Sequence, residues 1–298
     1  MTAQLERVEP AVVRRPEAPA PARPRRRLGV SPTVVVLALV TVVSAFPLYF
    51  MLVMASRPNG DITSVPPPLT PGGELWTNLE RVLSNADVGF GRAVLNSLLV
   101  SGVATVCVVL FSCLAGFAFA KLRFVGRQPL LGFVLLTMMV PVQLGLIPLY
   151  MLMTKLHLVG TLPAVTLPFV VSGFGVFLMR QFVVQAVPDE LLEAARLDGA
   201  SILQTFWYVV LPVLRPAAAV LALLTFMERW NDFLWPYLVL DLDHPTVQTA
   251  LSRLAGGYYT DQALVMAGTL LGVLPLLAVF LLFGRQIVGG IMEGGIKS

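Results

Sequence analysis

The sequence predicts an all-α membrane protein: six transmembrane helices, with a helix-turn-helix on the cytoplasmic side between the fourth and fifth. Three observations predict it. First, 56% of the 298 residues are hydrophobic and 13% are charged, with a mean hydropathy of +0.80. A soluble domain of this size needs far more polar surface to cover its core. Second, apolar stretches of roughly 18 or more residues recur, each long enough to cross a hydrocarbon core of about 30 Å. Third, residues 188–212 interrupt that pattern with charges, a proline and glycine-containing turn signals. The expected organisation is a basic tail at 1–29, disordered because of its Pro/Ala/Arg content, and one membrane domain at 30–298.

The tail holds seven arginines, Arg7, Arg14, Arg15, Arg23, Arg25, Arg26 and Arg27. Such a cluster also occurs in nucleic-acid binders, but beside a spanning helix it reads as the device that keeps that end in the cytoplasm. The apolar stretch at 33–55 is too long for the core of a signal peptide, and MASRP is a poor cleavage site, so it reads as an anchor. A proline-rich outer loop follows at 57–92. The next spans are expected at 93–119, 129–153 and 161–184, then 214–240 and 263–284. Cys107 and Cys113, the only cysteines, lie within the second span without ligand neighbours and read as small core residues. Met138 and Met139 beside Pro141 read as core filling and a kink in the third. Gly268 and Gly272, four residues apart in the sixth, permit close helix packing.

Six spans put both termini on one side. The seven tail arginines, with Lys121, Arg123, Arg127, Arg180, Arg196, Arg215, Arg285 and Lys297, make 15 of the 21 lysines and arginines fall on that side. The positive-inside rule then makes both termini cytoplasmic, in a multi-pass protein of the bacterial inner membrane. Asp241, Asp243 and Asp261 fall on the outer side, as does the segment Gly256-Gly257-Tyr258-Tyr259-Thr260-Asp261, which reads either as a contact for the external partner or as an ordinary turn.

Between the fourth and fifth spans, Pro188 is expected at the first helical position, with Asp189 and Glu190 in the first turn. Leu191, Leu192, Ala194 and Ala195 form an apolar stripe, and Gly199 can take the left-handed conformation that ends a helix. Ser201 and Gln204 form a capping box that opens a second helix through Phe206, Trp207 and Tyr208 to Leu211-Pro212. The spacing Glu193-Ala194-Ala195, three residues, Gly199, nine residues, Val209, one residue, Leu211-Pro212 resembles the signature of ABC importer permeases, with Val209 where isoleucine is usual. The resemblance implies that this loop is a coupling helix fitting a cleft on a separate ATPase; the competing reading is an amphipathic surface helix resting on lipid headgroups. Glu193, Ala194, Ala195, Asp198, Gly199, Leu211 and Pro212 are the residues expected to make that contact.

The segment Glu228-Arg229-Trp230-Asn231-Asp232-Phe233-Leu234-Trp235-Pro236 resembles the Trp-Asn-acidic-Phe stretch of maltose-type sugar permeases. The glycine-rich ending 289–298 resembles that group's C-terminal tail, departing at Glu293 and Gly295. Together these resemblances cover the chain from about the first span onward. Asn231 would lie roughly 24 Å along the fifth span, in its outer half. Trp230, Asn231, Asp232, Phe233 and Trp235 are therefore candidates for the substrate pathway, Asn231 and Asp232 bonding hydroxyls and a tryptophan offering a flat face to a sugar ring. The competing reading is an Arg229–Asp232 pair that neutralises itself and holds helices together.

The resemblance further implies a second, similar permease subunit, two ATPase subunits docking on 188–212, and an external sugar-binding protein. ATP would be used by the partner, because this chain has no Gly-Lys dipeptide and hence no phosphate-binding P-loop. No cofactor, metal or nucleic acid is expected on the chain itself, and no catalysis. The substrate class implied is a di- or oligosaccharide, with glycerol phosphate or another small polar solute as the alternative. A proton-coupled secondary transporter would rest on Glu228 and Asp232 as a relay, but the other five spans offer no matching carboxylate. An intramembrane hydrolase would want a histidine or paired carboxylates beside a serine at membrane depth, and His157 and His244 fall in outer loops.

Overall fold

Fourteen α-helices with short 3₁₀ and π turns make up the regular structure of the described residues, 32–256 and 260–295 of a computed structural model. The expectations for the tail, for Gly257, Tyr258 and Tyr259, and for the last three residues lie outside that range. Contacts divide the chain between Phe46 and Pro47, within α1 (Pro32–Ala55). The part before the division is a stretch of apolar helix in which Thr41 Oγ1 donates to the Leu37 carbonyl at 2.8 Å. That bond leaves no side-chain donor unpaired at Thr41, as a lipid-facing helix requires.

The larger part begins with the last turns of α1, then α2 (Asn59–Ile62) and α3 (Leu75–Ser84), then α4 (Phe90–Lys121). At 1.5 Å per residue α4 is about 47 Å long, enough to cross the bilayer and project beyond it. After it come α5 (Arg127–Met139), α6 (Leu146–Lys155), α7 (Leu162–Thr166), α8 (Gly173–Ala186) and α9 (Asp189–Leu197). The remaining helices are α10 (Ile202–Thr205), α11 (Leu211–Trp230), α12 (Leu234–Val239), α13 (Val247–Ala255) and α14 (Gln262–Gly295).

Five helical segments are long and apolar enough to cross a membrane, at 32–55, 90–121, 162–186, 202–230 and 262–282. The sixth expected span is a broken pair, 127–139 and 142–155, bent by 93°. The Pro141 kink is thus a full break, because proline lacks the N–H and restricts the residue before it. Met138 and Met139 flank that break and are exposed, so they do not fill this chain's core. The fourth span is also interrupted, by a 3₁₀ turn at Leu167–Phe169 and non-helical residues 170–172. The fifth ends at Trp230, ten residues earlier than expected; Asn231 caps it and residues 231–233 leave the helix.

α4 is the axis of the second part. One core joins Val108, Cys113 and Phe117 of α4 to Met179 and Val183 of α8, and to Leu214, Ala217 and Leu221 of α11. Gly116 and Gly175 make the α4–α8 approach possible. A Cβ on Gly116 would sit 2.7 Å from the Arg180 backbone nitrogen, and one on Gly175 would collide with the Ser112 side chain. Toward the other end of α4, Phe90 and Ala93 pack with Trp230, Val247, Ala250 and Ala267. Here α13, within what the sequence shows as a loop, is fastened by Ser97 Oγ accepting from the Val247 N–H at 2.9 Å and by Asn96 Nδ2 donating to the Pro245 carbonyl at 2.9 Å. Gly268 and Gly272 do serve packing: added Cβ atoms would meet Leu254 at 2.8 Å and Val247 at 2.9 Å, both on α13.

Charged residues separate along the same axis. At the Phe90 end, Arg81 pairs with Asp261 at 2.7 Å and Arg92 donates to the Asp243 carbonyl, while Arg253 donates to the carbonyls of Asp241 and Leu242. Asp241 itself is pushed up by partial burial but pulled further down by hydrogen bonds from His244 and the Asp243 N–H, so its carboxyl ends below the usual range. At the Lys121 end lie Lys121, Arg123, Arg127 and Arg196, around a cleft of about 920 Å³ that Asp189 and Glu193 also line.

Candidate functional site: a seated surface helix and an interrupted span

The helix-turn-helix between the fourth and fifth spans forms as its local signals dictate. Pro188 stands one position earlier than expected, as the extended residue before the helix (φ −66°, ψ 152°), and Asp189 opens α9. Gly199 is left-handed (φ +77°). The Ala200 N–H reaches the Ala195 carbonyl at 2.9 Å and the Gly199 N–H reaches the Arg196 carbonyl at 3.0 Å, the paired closure that satisfies the orphan carbonyls of a helix end. Ser201 and Gln204 then form the predicted capping box.

The second helix departs from expectation. It does not stop at Leu211-Pro212 but runs through α10, a π turn at Phe206–Val210 and α11 as one unbroken piece, 202–230. The Leu211 N–H bonds the Phe206 carbonyl, five residues back. The widened turn comes just before Pro212, so the missing N–H of the proline causes no break. Leu211 packs on the central core and Pro212 is exposed.

α9 is held down at two points. Leu192 joins the core with Val183, Val187 and Phe206. Lys121, at the last residue of α4, donates to Asp189 Oδ1 at 2.7 Å. That hydrogen bond and charge, with Arg123 and Arg196 nearby, hold the Asp189 carboxyl below the ordinary carboxylate range. Of the predicted docking residues, Glu193, Ala194, Asp198 and Gly199 are exposed, alongside Leu191 and Leu197. Ala195 faces the other way, 8% exposed; it seats the helix and offers no outward surface. The sequence does not single out Lys121 for this role, since nothing local links it to a residue 68 positions away.

At the far end of α11 the predicted pathway residues divide. Trp230 is 1% exposed and donates its indole N–H to the Gly272 carbonyl at 3.1 Å; Trp235 is 2% exposed and donates to the Ala164 carbonyl at 3.0 Å. Both indoles are core pieces with their polar atoms satisfied, so neither offers a ring face to a sugar. Asn231 is exposed, its amide donating to the Met227 carbonyl at 2.8 Å, and Phe233 is exposed. Asp232 accepts from Arg229 at 3.4 Å, Arg229 also pairs with Glu228, and its guanidinium stacks 4.3 Å above the Phe169 ring. The Arg229–Asp232 pairing therefore forms, and the two carboxylates a proton relay would need are both engaged by one arginine. Among the described residues no group of histidine, cysteine or carboxylate side chains could hold a metal ion.

Over residues 108–290 the sequence matches the family described as binding-protein-dependent transport system inner membrane component. It is 36% identical to the lactose transport system permease protein LacG of Rhizobium radiobacter, over 92% of this chain and 98% of that protein. It is 34% identical to the sn-glycerol-3-phosphate transport system permease protein UgpE of Yersinia enterocolitica, over 87% and 94%. It is 32% identical to the arabinooligosaccharides transport system permease protein AraQ of Halalkalibacterium halodurans, over 88% and 94%. The fold matches a chain from the crystal structure of a bacterial ABC transporter involved in the import of the acidic polysaccharide alginate, with a TM-score of 0.73, 23% identity, and 85% and 94% of the two chains covered.

Proposed function

Because the chain belongs to the binding-protein-dependent transport inner-membrane component family, we propose that it is one transmembrane subunit of an ATP-driven importer of a di- or oligosaccharide. A second, similar permease forms the other half of the pathway, two ATPase subunits dock on residues 188–212, and an external binding protein delivers the sugar. Both termini lie in the cytoplasm. The chain itself performs no catalysis and binds no cofactor; ATP is consumed by the docked partners.

The observation that carries this reading is the way α9 is seated. Its exposed face, Leu191, Ala194, Leu197 and Glu193, is presented outward, while Leu192 and the Lys121–Asp189 pair fix its inner face to the core helices. A surface helix resting on lipid headgroups needs no such attachment. A helix that must transmit displacement does, because force applied to it has to reach the spans. Closure of the ATPases on ATP would push α9; α4, through Lys121, and α11, through the unbroken 202–230 segment, would then carry the displacement across the membrane. ATP binding thus biases one of two bundle arrangements by its differential affinity for them.

A second substrate reading, glycerol phosphate, is favoured by the 34% identity to UgpE. The decisive experiment is purification of the chain from native membranes in mild detergent through a C-terminal tag. A stoichiometric ATPase and a second permease should co-purify, and both the ATPase and ATP-dependent uptake should be lost on Gly199→Asp. Recovery of a homo-oligomer without an ATPase would overturn the proposal.

A further inference from the structure

Two interruptions of the spans meet one polar face of α11. The break at Val140–Pro141 and the non-helical residues 170–172 border a cleft of about 310 Å³, into which Thr137, Phe169, Ser172, Thr225, Glu228 and Arg229 project. Val108 of α4 also lines it. That residue is 13 positions from Lys121, about 20 Å along the helix, so the cleft lies well inside the hydrocarbon thickness. Irregular backbone at such depth survives only when buried in protein or facing water, and charged side chains there face a pathway or a partner. Both conditions hold in the same place.

We propose that this cleft is the substrate-contact surface that this subunit contributes to the pathway, and that it accepts an uncharged polyhydroxyl ring and rejects a phosphomonoester. The inference rests on the importer reading and names its site. Arg229 is the cation a phosphate would need, but it is already occupied. Its two terminal nitrogens engage Asp232 and Glu228, and Phe169 covers its face. One guanidinium against two carboxylates leaves the group acidic, which repels a second anion. Glu228 is itself exposed, 69% by side chain, and a carboxylate is a strong acceptor for sugar hydroxyls. Ser172 Oγ accepts from the Gly175 N–H at 3.1 Å, leaving its own O–H free to donate outward. Phe174, 45% exposed, supplies the apolar wall that the C–H face of a pyranose prefers. The volume lies at the low end of the roughly 300–1,000 Å³ range of ligand clefts, so the contact is with one ring at a time, as suits an oligomer passing through.

The test uses the complete importer, with its partner permease, ATPases and binding protein, in proteoliposomes supplied with labelled lactose, arabino-oligosaccharide or glycerol 3-phosphate. Glu228→Gln and Thr225→Val should each raise the KM for sugar uptake at least tenfold, while ATP hydrolysis stimulated by the binding protein stays within twofold of the parent. A Thr137→Cys variant, at an exposed position on the cleft wall, with Cys107 and Cys113 replaced by serine, should react with a membrane-impermeant maleimide and be protected by sugar but not by glycerol 3-phosphate. If the parent complex takes up sugar but both substitutions leave its KM unchanged and the thiol introduced by Thr137→Cys is not protected, the cleft is not the contact surface. Uptake of glycerol 3-phosphate in preference to both sugars would overturn the assigned selectivity. Failure of the parent complex to move any of the three with ATP would instead count against the importer reading itself.

Discussion

Replacing Gly116 by alanine tests the α4–α8 contact on which the central core depends, and Gly102→Ala supplies its control. Both glycines lie inside α4, so both substitutions gain the same helix preference, about 1 kcal/mol at most. They differ in surroundings. A Cβ at position 116 would lie 2.7 Å from the Arg180 nitrogen, 2.8 Å from Met179 Cβ and 2.9 Å from the Met179 carbonyl carbon, whereas one at 102 meets nothing within 4 Å. Two of the three close atoms at 116 are backbone, so no rotamer change relieves them. The helices must separate by several tenths of an ångström, loosening Met179 and Val183 against Phe117 and Cys113. Overpacking of this kind costs about 1–3 kcal/mol. The shared helix gain cancels in the difference, so Gly116→Ala should be less stable than Gly102→Ala by about that amount, roughly 5- to 150-fold in the unfolding equilibrium. Equilibrium unfolding of the detergent-solubilised chain in graded SDS measures it. Equal stability within about 0.5 kcal/mol, or the reverse order, would refute the packing argument.

Lys121→Ala should uncouple ATP hydrolysis from uptake while the ATPase still binds, and exchanging the pair (Lys121→Asp with Asp189→Lys) should restore coupling; no recovery would mean the pair does not transmit. Because Asp189 titrates below its ordinary value of about 3.9, the Lys121–Asp189 contribution is fully present above that value and is lost as pH falls through the lower folded-state value. Coupling in the parent should therefore be flat from pH 7 to about pH 5, and a Lys121-dependent loss in that window would contradict the pairing. Gly199→Ala should weaken ATPase co-purification through backbone strain alone, about 1–2 kcal/mol, since position 199 has no atom close enough to clash; Gly199→Asn should do less harm. Trp230→Phe should lower thermal stability by about 1–3 kcal/mol, by losing the buried indole N–H bond to the Gly272 carbonyl and leaving a gap where the larger ring packed, with the sugar KM unchanged; a raised KM would return Trp230 to the pathway.

What the sequence discloses and what it hides follow from the range of each signal. The α9 turn is legible because its determinants are local: a proline, two carboxylates, a left-handed glycine and a serine–glutamine box within seventeen residues. Spans one, two and six are legible because hydropathy reports continuous apolar length. It does not register that Val140–Pro141 or Val170–Ser172 leave the helix, since two or three residues barely move the mean of a window of about 19, so the fourth span looks whole and the third shows only the kink that Pro141 signals. The early end of the fifth stays hidden because Asn231-Asp232 reads as polar chemistry inside a helix when it is the helix stop. α3 and α13 escape because short amphipathic helices lack apolar length; the Thr246–Thr249 box is the signal that could find α13. The Phe169–Arg229 and Lys121–Asp189 contacts join residues 60 and 68 positions apart, and only packing brings them together.

The π turn at Phe206–Val210 fixes the phase of everything beyond it. A helix advances about 100° of rotation per residue, and a π turn accommodates one residue more than an α turn would. Tightening 206–210 to α geometry with no residue removed would leave α10 and the docking end as they are. Thr225, Glu228 and Arg229 would meanwhile be turned by roughly a quarter revolution off the cleft. The extra residue therefore acts as an index mark, setting one end of a rigid rod against the other. Its length matters more to the pathway than the identity of any side chain it carries.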